Sequence, residues 1–260
     1  MSGQEARAVR TTARQVNKRR QMMRLLLIII LFLLLLMSIV FAGASFLNKA
    51  GRFTINLDPE AFNKYGISIS EKQAFDNPTV FLQGTSVENM WNITQEWLLN
   101  DPNNKEYYAE GFPTYQSYAE LDQGDGEHNG KDYIAYTFYI RNSGSEDIGY
   151  YGSINIDSVI KGADEAARVM VFLNGVPTVY GKTPKNPRAE NAAFGVDEFF
   201  VDNSKVMEIR KTDFKSGEVD RYTIVVWLEG WDPECVNDIM GGAVTLSMNF
   251  KILEESFNNG

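Results

Sequence analysis

The longest apolar run of the chain covers residues 25–47, which contain no charged side chain. An α-helix rises roughly 1.5 Å per residue, so this run reaches about 34 Å, enough to cross a hydrocarbon core of about 30 Å. Lipid offers no partners to backbone N–H and C=O groups, so a helix is the expected conformation. The run is apolar all round, unlike an amphipathic helix of a soluble core. The sequence therefore predicts one membrane-spanning helix.

Beyond this run, apolar and polar residues alternate with a period of two, as they do in strands with one buried face. The clearest strand is residues 244–252, and residues 221–228 and 133–142 alternate in the same way. The apolar face of the last strand consists of Val244, Leu246, Met248, Phe250 and Ile252. Weaker strand candidates are residues 53–57, 67–70, 79–82, 149–156, 168–173 and 206–210.

Helices are predicted to be minor after residue 47, with a turn or two at residues 164–168 and an uncertain helix at residues 89–99. Two polar segments, residues 101–129 and 180–195, are expected to be long loops. Short alternating strands are typical of two packed antiparallel sheets. The sequence thus predicts an all-β fold, an antiparallel β-sandwich of the Ig-like or jelly-roll kind at residues 48–260, preceded by a single N-terminal transmembrane helix.

Charge is distributed unevenly around the apolar run. Residues 1–24 contain seven Lys or Arg side chains and one acidic side chain, and taking these from the chain's 25 basic and 34 acidic residues leaves 18 and 33. Basic flanks stay on the cytoplasmic side of a membrane. We therefore expect a cytoplasmic tail at residues 1–24, which lies against anionic lipid and binds no nucleic acid, and an extracellular domain at residues 48–260.

The end of the apolar run carries a second signal. Residues 42–44, Ala-Gly-Ala, have the small-x-small form of a signal-peptidase site. Cleavage after Ala44 would release a secreted domain that begins near Ser45. A retained anchor is the favoured interpretation, because the run exceeds the usual core of a cleavable signal, about 7–15 residues. Both outcomes stay open.

The chain has a single cysteine, Cys235, and a single histidine, His128, which limits the disulfides and catalytic sites that it can form. With one thiol, no intrachain disulfide can form. The sequence contains no His-Glu-x-x-His, Gly-x-Ser-x-Gly or Cys-x-x-Cys motif. A Ser-His-Asp triad would need His128 in an acidic loop, and Cys235 is better interpreted as a structural thiol than as a nucleophile. We therefore predict no catalytic residue and no enzymatic activity.

The segment that begins at Asp125 resembles the start of a calcium loop. Oxygen-bearing side chains alternate at Asp125, Glu127 and Asn129, and Gly130 occupies the sixth position. The twelfth position, where a bidentate Glu is expected, is Tyr136. An acidic hairpin loop whose glycines supply positive φ is the favoured alternative. Calcium at Asp125, Glu127 and Asn129 is the one metal hypothesis, and no other cofactor is predicted.

Residues 227–242, Trp-Leu-Glu-Gly-Trp-Asp-Pro-Glu-Cys-Val-Asn-Asp-Ile-Met-Gly-Gly, are the most distinctive segment of the chain. Asp232 is suited to begin a short helix and Gly241 to end it. Trp227 lies opposite the inward face of its strand, and Trp231 follows in the turn. Either ring could contact a ligand by stacking on cell-wall carbohydrate. Packing against a neighbouring loop is the favoured alternative.

This segment, followed by an alternating strand that ends at Phe250, resembles the C-terminal signature of exported Gram-positive proteins of the TasA/camelysin-like group. Residues 164–171 are similar to another segment of that group, and residues 133–142 to its central strand. The resemblance implies a jelly-roll-like sandwich with a surface or matrix role, in some members with assembly into fibres by strand exchange. Camelysin-like members have been regarded as metallopeptidases, but this chain has no histidine cluster, so no catalytic residue is carried over.

Three functions remain open. The first is a non-enzymatic, membrane-anchored extracellular module of the cell envelope, with the lipid bilayer and an envelope or surface protein as partners. The second is a matrix or fibre subunit released after Ala44, in which residues 48–58 serve as a donated strand and the chain self-associates. The third is an envelope hydrolase of the metallopeptidase kind.

Overall fold

The computed structural model describes Lys18 and residues 20–39, 52–98 and 118–253. The chain divides into two units, Met1–Lys49 and Ala50–Gly260. In the first unit, helix α1 covers Arg20–Ile39 and is long and apolar enough to cross a membrane, a property that signal sequences share. All of its side chains are exposed. Ala44 and the rest of residues 40–47 lie outside the described residues, as does most of the basic tail.

The second unit is built mainly of strands. They are β1 (Phe53–Leu57), β2 (Ile67–Ser70), β3 (Phe81–Gln83), β4 (Gly126–Glu127), β5 (Ile134–Asn142), β6 (Ile148–Ile160), β7 (Ala167–Leu173), β8 (Val176–Gly181), β9 (Glu198–Phe199), β10 (Lys205–Phe214), β11 (Val219–Leu228) and β12 (Ala243–Ile252). The helices are short: α2 (Pro59–Tyr65), α3 (Gln95–Leu98) and α4 (Tyr118–Asp122), with 3-10 turns at Ala163–Glu165 and Asn237–Ile239.

The strands form two sheets. The first sheet has the order β10-β6-β12-β1-β3, and the second has the order β2-β5-β11-β7-β8-β9, with β4 paired to β5. All pairings are antiparallel except β1 with β12 and β8 with β9. The predicted all-β class, with two sheets and few helices, is confirmed. The parallel β1–β12 pair departs from the antiparallel expectation, because the first strand of the unit joins the last one instead of a hairpin neighbour.

The main core lies between the two sheets and takes alternate side chains from both. The predicted inward face of β12 is confirmed, since Leu246, Met248 and Phe250 are buried in this core. Phe250 is surrounded by aromatic rings, with ring centroids 5.5 Å from Tyr222 and 5.7 Å from Tyr150. Removal of such apolar area from water, at about 25 cal/mol per Å², is the dominant force that holds the sheets together.

The second sheet is buried on its other face as well. A separate cluster there includes Val225 and Trp227 from β11, covered by Ile93, Leu98 and Leu121 from the short segments that contain α3 and α4. The residues between the inward positions of β11 are therefore also buried, although alternation alone suggests a solvent-facing side. These irregular segments cover the outer face of β11, which is why its residues are buried. The coverage was not predictable from the sequence, because the segments have no periodic pattern of their own.

The local helical predictions hold in reduced form. A single 3-10 turn, Ala163–Glu165, lies at the predicted turn of residues 164–168, and the uncertain helix at residues 89–99 is limited to α3 within the described residues. The described part of the predicted loop at residues 101–129 contains α4 and β4, and the predicted loop at residues 180–195 begins within β8.

Candidate functional site

A cavity of about 380 Å³ opens beside the segment that precedes α3. Its volume is within the range of about 300–1,000 Å³ that small-molecule sites occupy. The walls combine two indole rings with polar side chains. The lining residues are Trp91, Asn92, Ile93, Thr94, Trp97, Lys131 and Asp132. We call this space the tryptophan cavity.

The wall of the tryptophan cavity is fixed to the second sheet by backbone hydrogen bonds. The Ile93 N–H donates to the carbonyl of Leu228 at 3.0 Å, and the Gly230 N–H donates to the carbonyl of Ile93 at 2.8 Å. The Trp91 N–H donates to Oδ1 of Asp132 at 2.8 Å. Ile93 is itself buried in the outer cluster. The cavity is therefore preformed by the fold and does not need a ligand to order it.

A buried carboxylate, Glu229, holds this wall against β11. Its Oε2 accepts hydrogen bonds from the Gln95 N–H at 2.9 Å and from Nε1 of Trp227 at 3.0 Å. Its Oε1 accepts from the Trp231 N–H at 3.2 Å. Three donors around one fully buried carboxylate offset its loss of hydration. Glu229 is thus a structural acid that positions the wall.

The next buried acid, Asp232, pairs with Arg168. Nη2 of Arg168 lies 2.7 Å from Oδ2 of Asp232, and their side chains are 1% and 3% exposed. Oδ1 of Asp232 accepts from the Glu234 N–H at 2.8 Å. This local bond makes a turn instead of the predicted longer helix, and the only helical residues between 232 and 241 are the 3-10 turn. Gly241 has φ of +69°, consistent with its predicted terminating role.

The two tryptophans singled out from the sequence have different environments. Trp227 is fully buried, so it is not available to stack on a ligand, and the packing alternative describes it correctly. Trp231 is 45% exposed and packs edge-to-face against Phe194, with ring centroids 4.7 Å apart. The cavity tryptophans, Trp91 and Trp97, were not predicted. A usable signal was present in the sequence, because residues 91–97 place two tryptophans in a polar segment that lacks the alternation of a strand.

The calcium candidates do not converge. Oδ1 of Asp125 accepts from the Tyr139 hydroxyl at 2.7 Å, and the carboxylate of Glu127 accepts from the Thr85 N–H at 2.7 Å. Nδ2 of Asn129 donates to Glu127 at 2.9 Å, and its Oδ1 accepts from the Ala135 N–H at 2.8 Å. The oxygens of Asp125 and Asn129 bond to β5, and the Glu127 carboxylate bonds to Thr85 outside the β4–β5 hairpin, so all three candidates have partners within the protein. Within the described ranges, no group of three His, Cys, Asp or Glu residues could hold a metal ion.

The surroundings of Cys235 and His128 do not favour a catalytic role for either side chain. Cys235 is half-buried, and burial raises the pKa of its thiol, with a further rise from the negative charges of Asp232 and Glu229. The ring nitrogens of His128 lie 2.9 Å from the carbonyl oxygen of Gly126 and 3.1 Å from that of Leu121. A raised thiol pKa lowers the thiolate fraction, which is the reverse of what a cysteine nucleophile needs.

Neither a protein-family model nor a curated protein sequence matches the chain. A solved structure of beta-glucosidase from Kluyveromyces marxianus in complex with glucose is similar at a TM-score of 0.26 and 12% identity, covering 74% of this chain and 17% of that one. The selenomethionine-labelled beta-glucosidase from the same organism gives a TM-score of 0.26 and 14% identity, covering 78% of this chain and 19% of that one. This chain thus spans less than a fifth of either protein, and similarity at this level supports no inference about function.

Proposed function

We propose that the protein is a membrane-anchored, non-enzymatic binding module whose β-sandwich lies on the outer side of the cell envelope. The observation that carries the proposal is the tryptophan cavity, a preformed aromatic site on a domain that follows an apolar helix. Exposed apolar surface with a polar rim is typical of interaction and ligand sites. Trp91 is 71% exposed although its backbone is fixed.

Two features of the chain support the anchor and its orientation. Helix α1 has the length and composition of a membrane crossing. Seven basic side chains precede residue 25, and acidic side chains predominate after it. A basic flank is retained in the cytoplasm, which leaves the acidic β-rich unit outside.

The groups near the cavity support binding instead of catalysis. Oδ1 of Asp132 accepts from the Trp91 backbone, and Glu229 is occupied by three donors. Asp232 is paired with Arg168. Each of these three acids therefore has a structural partner within the described residues.

A photo-crosslinking residue at Asn92, on the rim of the cavity, tests the proposal in intact cells. We expect irradiation to join the full chain to a component of the envelope. The matched control is the same residue at Val176, which is 67% exposed and does not line the cavity. Protease added to intact cells should also remove the β-rich unit. Equal crosslinking at both positions, or a unit that is protected until lysis, contradicts the proposal.

A released fibre subunit of the TasA/camelysin-like kind is the second candidate, and the position of β1 favours it. This strand lies between β12 and β3 and contributes three buried side chains, so it is the element that strand exchange would move. Sequencing of the mature N-terminus separates the candidates. An intact Met1 in the membrane fraction supports the anchored module, whereas Ser45 at the start of a protein in the medium supports the fibre subunit.

A further inference from the structure

One of the two tryptophans that line the cavity, Trp91, presents apolar ring surface that is open to solvent. Trp91 is 71% exposed, and Trp97 is half-buried against the outer cluster. The N–H of Trp97 donates to Oγ1 of Thr94 at 3.1 Å, which fixes its backbone as the Trp91 backbone is fixed by Asp132. Indole rings offer large contact area at low entropic cost, because the side chain has only two rotatable bonds.

Polar side chains next to these rings have unused hydrogen-bonding capacity. The Asn92 side chain is exposed, the Lys131 side chain is half-buried, and neither forms a hydrogen bond or ion pair within the described ranges. An amide and an ammonium group beside two indoles suit a ligand with an apolar face and a polar edge.

A lipid ligand matches this combination less well. A lipid chain would leave the Asn92 and Lys131 side chains without partners. A sugar ring with equatorial substituents has C–H groups on both faces and hydroxyl groups around its edge, which matches the rings and the polar side chains together.

We propose that the tryptophan cavity binds a glucose-configured sugar ring of an envelope glycan, with one face stacked on Trp91 and its edge hydrogen-bonded by Asn92 and Lys131. This inference rests on the proposed function, because it names the ligand of the same site. The cavity volume of about 380 Å³ suits a short stretch of glycan. No bond is made or broken, so the site is a lectin-like one.

Titration of the full chain in a detergent without a sugar headgroup tests the inference. The probes are a chitin-type and a cellulose-type oligosaccharide, followed by calorimetry and tryptophan fluorescence. We expect saturable binding of at least one probe. Loss of a central aromatic contact typically costs about 2 kcal/mol or more, so Trp91→Ala should weaken binding about thirtyfold or more, and Trp91→Phe should recover part of it.

The matched control is Phe81→Ala, which removes an aromatic ring of 48% exposure that does not line the cavity. Its affinity should stay within about twofold of the original. Near-UV circular dichroism of both variants checks that the domain remains folded. Failure of both probes to bind, or equal affinity in Trp91→Ala and the unmodified chain, overturns the inference. If the crosslinker at Asn92 still captures an envelope component in that case, the sugar ligand fails while the proposed function stands.

Discussion

The rate at which the chain's thiol is alkylated depends on Cys235 alone, because the chain has no second cysteine. Burial and the nearby Asp232 and Glu229 carboxylates raise its pKa, so less thiolate is present at any given pH. We expect iodoacetamide to alkylate the folded chain several-fold more slowly than a cysteine-containing peptide at neutral pH. The rate should rise with pH beyond the usual thiol range. Urea should abolish the difference, and peptide-like reactivity of the folded chain would contradict the described environment.

Arg168 and Asp232 form the most buried ion pair in the described structure, and breaking it should be costly. Arg168→Met leaves Asp232 buried without its cation, and we expect a loss of about 3–5 kcal/mol in the free energy of unfolding. Adding Asp232→Leu should recover much of this loss, because the unpaired charge is then removed.

Urea denaturation measures both variants, and Lys64→Ala is the control. Lys64 and Glu60 form an ion pair at 3.2 Å with both side chains 62% exposed, so water screens it and its removal should change the free energy of unfolding far less than removal of the buried pair. Similar costs for Arg168→Met and Lys64→Ala would show that the buried pair is not formed.

Strand β1 carries the clearest prediction at the scale of elements. Its inward side chains, Phe53, Ile55 and Leu57, are buried between the sheets, while Thr54 lies on the opposite face. Ile55→Ala should lower the free energy of unfolding by about 2–5 kcal/mol through the cavity that it leaves. Thr54→Ala in the same strand should change it by about 0.5 kcal/mol or less. Equal effects in urea denaturation would mean that β1 does not pack in this register.

Strands in which apolar and polar residues alternate regularly were predictable from the sequence, whereas elements without regular alternation were not. The predicted bounds of residues 53–57 and 67–70 coincide with β1 and β2. Strand β8 was missed because it contains Pro177 and only partial alternation. Helix α2 was missed although Asp58 caps it, accepting from the Glu60 N–H at 2.8 Å, and Gly66 ends it with φ of +72°. These capping residues were a usable signal.

The candidate site was less predictable than the fold for a physical reason. Its wall is an irregular segment that is held by the buried carboxylate of Glu229 and by Asp132, both distant in sequence from Trp91. No local pattern shows that these residues meet. Composition alone pointed to Trp227 and Trp231, yet burial removes Trp227 from the surface.

At the scale of the whole molecule, the two units should respond differently to denaturant. The sheets share one core, so the β-rich unit should unfold in a single cooperative transition. A helix of this length and composition satisfies most of its backbone polar groups internally, so detergent should keep α1 folded. For the full chain in micelles, we expect urea to abolish near-UV circular dichroism while a helical far-UV signal remains. Simultaneous loss of both signals would contradict a membrane-type helix.

The central position of β1 also determines how the domain would bear a mechanical load. Its backbone is bonded to β12 along one edge and to β3 along the other. A pull from the N-terminal side of Phe53 along the strand would stress these bonds in shear, so many would have to rupture together instead of unzipping in turn. A chain pulled through such an interior strand should therefore resist extraction better than one pulled through a peripheral strand.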